Sequence, residues 1–162
     1  PQRSEDPMRI TPLLFVPLSL FGCATITPMS GDYDVSPFQA VSNSCGTELD
    51  VDEDGSEMSV GVDAPTETVA IELGDGMAFE CDLHDDEFDC NDLTVMSSDD
   101  RADIVITYGW HLAGAFASEV SIDPLTFTFS ATCAGDDCKS LVEQSDMTLP
   151  CAVVFQSDAE LQ

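Results

Sequence analysis

Three stretches of period-two alternation do most to limit what this chain can fold into. Ile104, Ile106, Tyr108, Trp110 and Leu112 alternate with small or polar residues. Leu125, Phe127, Phe129, Ala131 and Cys133 alternate with Thr126, Thr128, Ser130 and Thr132. Cys151, Val153, Phe155, Ser157, Ala159 and Leu161 repeat the pattern less purely. Successive side chains of a strand point to opposite faces, so alternation assigns one set to a core and the other to solvent. Threonine, valine and phenylalanine also suit a pleated surface. The chain is therefore expected to be all-β and antiparallel.

Turn residues punctuate the alternation. Asp54-Gly55, Gly74-Asp75-Gly76 and Asp123-Pro124 each separate two apolar-alternating runs, and Asp-Gly is a strong hairpin signal. Strands are expected near 31–41, 47–53, 57–63, 67–73, 77–83, 87–96, 102–112, 114–122, 125–134 and 150–161, giving eight to ten after fusions. A change of parity between Cys90 and Leu93 predicts a bulge at Asn91-Asp92. A short helix is expected within 136–144, with Cys138, Leu141 and Val142 on one side. A meander of adjacent hairpins favours a small closed or partly open barrel, because closure removes exposed edges. A β-sandwich is the alternative, since alternation does not distinguish the two.

Six cysteines, Cys45, Cys81, Cys90, Cys133, Cys138 and Cys151, lie in this β region. An even number fits a disulfide framework in an oxidising compartment. One pair follows from register. With Asp85-Asp86 as a two-residue turn, His84 faces Glu87, Leu83 faces Phe88, and Cys81 faces Cys90. Directly opposed β-carbons lie within reach of a disulfide. Cys133–Cys138 with Cys45–Cys151 is the preferred completion; Cys45–Cys133 with Cys138–Cys151 is the alternative.

Ahead of the alternating region, Met8-Arg9 leads into an apolar run that ends in Leu20-Phe21-Gly22-Cys23. Pro12 and Pro17 interrupt it, and it falls short of the ~18 apolar residues of a spanning helix. It reads as a removable signal. Its end resembles the lipobox of bacterial lipoproteins, with Phe21 bulkier than the small residue usual there. The resemblance implies cleavage before Cys23, acylation of that cysteine, and attachment to the membrane through its lipid; two or more acyl chains anchor stably. Ala24 rather than Asp follows the cysteine, which in enteric members of the family implies the outer membrane rather than the inner. The expected organisation is a signal over 1–22 (with 1–7 upstream of the true start), a lipidated tether over 23–30, and one disulfide-containing β domain over 31–162. Gly31-Asp32-Tyr33 also resembles the Gly-x-Trp opening of lipocalins, with tyrosine at the tryptophan position.

Composition now excludes function classes. Lys and Arg total 4 against 32 Asp and Glu, for a net charge of −28. Such a chain repels phosphate backbones, so nucleic-acid binding is excluded. It repels anionic headgroups too, leaving the lipid on Cys23 as the expected membrane attachment. The acids are spread along the chain, which suits a solvated surface in a saline medium. Asp50, Asp52 and Asp54 match alternating oxygen positions of a calcium-binding EF-hand loop. The flanks read as strands, however, and Gly61 stands where a bidentate glutamate belongs. The expectation there is an acidic hairpin, with a weak Ca2+ site as the alternative and no other cofactor. Cys81, His84 and Cys90 could be drawn as a zinc site, but an oxidised pair accounts better for the cysteines. No nucleophile elbow or P-loop is present, and His111 is expected to face solvent, so no catalytic residues are assigned and no enzyme is expected. Tyr108, Trp110, Phe127, Phe129 and Phe155 either fill a core or line a cavity for a small apolar ligand. The sequence thus points to a non-enzymatic structural or protein-interaction module of the bacterial cell envelope, with a small-molecule carrier as the alternative.

Overall fold

The structure, a computed structural model, describes residues 26–46, 56–74, 76–99, 102–144 and 148–162. The expected strand at 47–53, Cys23, and Asp50, Asp52 and Asp54 lie outside the described residues. The described strands are β1 (Gly31–Val35), β2 (Gln39–Asn43), β3 (Ser56–Asp63), β4 (Thr68–Leu73), β5 (Ala78–His84), β6 (Glu87–Cys90), β7 (Leu93–Asp99), β8 (Ile104–Ser118), β9 (Ser121–Ala134) and β10 (Cys151–Leu161). A single helix among the described residues, α1 (Cys138–Gln144), follows β9.

Antiparallel pairing runs β1-β3-β4-β5-β6-β8-β9-β10, and β10 returns to β1 through Tyr33↔Leu161 and Val35↔Ala159. The result is a closed eight-stranded barrel, not the two separate sheets of a sandwich. Eight strands leave an interior just wide enough for side chains to fill. Tyr33, Met58, Ile71, Phe79, Leu112, Phe116, Ile122 and Leu125 fill it, each at most 1% exposed. Apart from the Tyr33 phenol, no polar or charged side chain is buried among the described residues. Each such apolar side chain contributes about 1.5–3 kcal/mol of transfer free energy. Burial alternates cleanly along β4 and β5, so the inward set is the one that period two selects.

Local chemistry explains the hairpins. Cys81↔Cys90, Leu83↔Phe88 and His84↔Glu87 pair across the turn at Asp85-Asp86, with Asp85 at φ 57°. At the β4–β5 turn, the Gly76 amide donates to the Leu73 carbonyl and Gly76 has φ 88°, a conformation glycine adopts without strain. Three disulfides join Cys81 to Cys90, Cys133 to Cys138, and Cys45 to Cys151. The alternative pairing of Cys45 with Cys133 and Cys138 with Cys151 is not formed.

Several elements depart from expectation. The run 31–41 divides into β1 and β2 at Ser36–Phe38, where Pro37 has no amide to give a ladder. The run 87–96 divides at Asn91-Asp92 into β6 and β7. Residues 102–112 and 114–122 do not form two strands, because β8 runs unbroken through Ala113-Gly114-Ala115. Its hairpin turn is Glu119-Val120, where the Ser118 and Ser121 hydroxyls meet at 2.6 Å and the Val120 amide donates to Ser118 Oγ. Asp123-Pro124 is therefore not a turn but part of β9, opposite register shifts at Gly114 and Phe116 that accommodate a residue without an N–H.

Candidate functional site

The barrel is closed along only part of its length. β8 pairs with β6 through Ala113–Ala115 and with β7 through Ile104–Trp110. β10 pairs with β1 near Leu161 and with β2 through Val153–Gln156. β6 and β1 have ring neighbours on both sides; among the described residues, β7 pairs with β8 alone and β2 with β10 alone. Below the ring, then, the described strands β7-β8-β9-β10-β2 continue as an open, five-stranded half. The breaks at Asn91-Asp92 and Ser36–Phe38 create it.

The inner face of this open half gathers the aromatic residues that alternation singles out. Leu93, Trp110, Phe129 and Val153 form one cross-strand row, and Val95, Tyr108, Ala131 and Cys151 form the next. Tyr108 stacks on Phe129 with ring centroids 6.2 Å apart; Trp110 lies 6.1 Å from Phe129 and 6.4 Å from Tyr108. Phe127 bridges to the barrel core, 6.4 Å from Phe79, 6.0 Å from Phe38 and 6.5 Å from Phe155. Phe155 is buried, while Tyr108, Trp110, Phe127 and Phe129 are half-buried. All five thus belong to one aromatic array: Phe155 and Phe127 pack as core, and Tyr108, Trp110 and Phe129 form a shelf beyond it. Aromatic neighbours at such distances gain about 0.5–1.5 kcal/mol beyond area burial.

Cys45–Cys151 ties the chain after β2 to the start of β10 beside this shelf, and Phe38, Phe129 and Leu149 pack around it. Cys133–Cys138 fastens α1 to the end of β9, where Cys133, Cys138, Val142 and Leu149 line a shallow depression of about 360 Å³. A larger groove of about 550 Å³ crosses the outside of β3–β5 and is lined in part by Ser59, Gly61, Glu72 and Glu80.

His111 lies on the outer face but does not simply face water. Its Nδ1 is 2.9 Å from Asp92 Oδ1 and its Nε2 is 3.6 Å from Asp89 Oδ2, with the side chain 32% exposed. The ring therefore sits against both sides of the β6–β7 break. Only the cross-strand register reveals this, which is why the sequence reading missed its partners. The carboxylates engage different ring nitrogens rather than converging on one point. Among the described residues, no group of three His, Cys, Asp or Glu could hold a metal ion. Cys81 and Cys90 are joined to each other, and His84 is exposed at its turn. Gly61, at the position where a calcium loop needs a bidentate glutamate, lies within β3.

The acidic side chains are distributed unevenly. β1, β3, β4, β5 and β6 carry Asp or Glu on their outward faces. No Asp, Glu, Lys or Arg occurs in β2, in β8, over 93–98 of β7, over 124–134 of β9 or over 151–157 of β10. Acids resume at the far tips, where the Asp103 carboxylate accepts from the Asp136 amide and the Asp137 carboxylate accepts from the Asp103 amide. The open half is thus an uncharged band between acidic rims. No family model, curated protein or solved structure gives a significant match to this chain.

Proposed function

We propose that this chain is a bacterial lipoprotein, anchored through a lipid on Cys23, whose barrel serves as a non-enzymatic protein-interaction module of the cell envelope. The filled barrel carries the interaction part of this reading. Apolar side chains occupy the ring interior, so recognition falls to the surface and the open half rather than to an enclosed ligand. Three disulfides support an oxidising compartment. The Leu20-Phe21-Gly22-Cys23 sequence supports the anchor and export to the envelope, with Ala24 favouring the outer membrane. The shelf of Tyr108, Trp110 and Phe129 favours a second reading, carriage of a small apolar ligand at the open end.

The anchor is tested by Cys23→Ser. The variant is expected to leave the membrane fraction and appear as soluble exported protein; unchanged membrane retention would overturn the lipoprotein reading. Intact mass after gentle purification separates the two binding readings, since a carried ligand adds non-covalent mass that denaturation removes.

A further inference from the structure

Of the two described edges of the open half, β7 offers the longer run, Leu93–Ser98 against Gln39–Ser42 in β2. Its backbone pairs with β8 on one side, and no described strand lies on the other. Native edge strands are blunted by charges, proline or bulges, because unpaired N–H and C=O groups template another strand. β7 has none of these from Leu93 to Ser98, in a chain with 32 acidic residues. Instead it presents Val95 at 54% exposure toward the aromatic shelf and Met96 at 75% on the opposite face. Leu93 pairs with Trp110 and Val95 with Tyr108, so a strand added beside β7 would extend both rows of the shelf.

We propose that β7 is a strand-addition site for an extended segment of another protein, apolar at its centre and flanked by lysine or arginine. The proposal rests on the protein-interaction reading above but not on the anchor. Main-chain hydrogen bonds to β7 supply the docking geometry, and side chains beside Val95 and Met96 supply apolar contact on either face. Charge selects the flanks. Asp92 and Asp89 lie at one end of β7, and Asp103 lies past the other. A basic-flanked segment therefore meets acids at both ends and none between. The net charge of −28 steers such a partner inward and opposes approach of a second copy.

The test uses the full chain in detergent and a synthetic peptide of alternating valine and threonine with lysine pairs at both ends. Trp110, the only tryptophan, reports from the row that Leu93 begins. The peptide is expected to change Trp110 emission saturably and to slow amide exchange across 93–99. A glutamate-flanked version should bind at least about tenfold more weakly. Val95→Asp and Met96→Asp each add a negative charge, yet each should weaken the lysine peptide by about tenfold. Both positions are more than half exposed, so both variants should keep the wild-type melting curve.

Tighter or unchanged binding by both variants would mean that charge alone holds the peptide, and would overturn the proposal. So would absence of binding, or concentration-dependent protection of 93–99 without peptide, which would make a second copy the occupant. Failure here with Cys23→Ser still released from membranes would sink the docking site and spare the envelope anchor. The reverse result would sink the anchor and spare the docking site.

Discussion

Tyr33 is fully buried at the start of β1, and its hydroxyl donates to the Met29 carbonyl at 2.8 Å. Burial raises the phenol above its ordinary pKa of 10.0, because the phenolate would lose its hydration. The folded state holds this proton where the unfolded state releases it. The resulting stability is fully present below the unfolded value and is lost as pH rises through about 10 toward the folded one. Tyr33→Phe should therefore cost about 1 kcal/mol at neutral pH, from the lost hydrogen bond. It should also flatten the alkaline decline. Denaturant midpoints from about pH 8 to about pH 11 would check this, and parallel declines in the two proteins would contradict it. Gly114 shows a different residue-scale constraint: a Cβ there would lie 2.6 Å from the Phe88 ring and 2.9 Å from the Pro124 carbonyl. The site where β6, β8 and β9 crowd together thus has room only for glycine.

Among elements, the disulfides separate by what they tie. Cys81–Cys90 spans 9 residues across a hairpin already paired by its ladder, whereas Cys45–Cys151 spans 106 and links early chain to late. If loop closure in the unfolded chain governs, Cys45→Ala with Cys151→Ala should cost about 4–5 kcal/mol and Cys81→Ala with Cys90→Ala about 3. Urea denaturation of the two double variants would measure this, and equal losses would show that loop length is not the determinant. The same contrast explains what the sequence revealed. The facing of Cys81 and Cys90 could be read because turn and alternation are local. So could the aromatic parity of β8, β9 and β10. The extent of β8 could not, because Asp123-Pro124 looks like a turn, and only the bulged register opposite lets it sit inside β9. Nor could the open half be foreseen. It depends on β6 and β7 sharing β8, and on β1 and β2 sharing β10, which are relations between distant segments. Pro37 was the one local sign that the first strand would divide. The clustering of uncharged residues in strands is visible in the sequence, but its meaning as a band is visible only once the strands are neighbours.

For the whole molecule, a net charge of −28 on one small barrel makes self-repulsion a standing cost of compactness. Raising monovalent chloride from about 0.01 M to about 1 M shortens the screening length from roughly 30 Å to 3 Å. The melting temperature should rise across that range, and a salt-independent melt would show that the acids are spaced widely enough not to matter. Barrel closure bears on biogenesis as well. Its seam joins Tyr33 to Leu161, so a chain emerging amino end first cannot complete the ring until its last strand has been delivered. The Cys81–Cys90 hairpin can oxidise as soon as it appears, but Cys45 must wait for Cys151 while four other cysteines pass. Cys45 is thus the thiol most open to a wrong partner while the chain folds, and the one whose correct pairing would lean most on a disulfide isomerase.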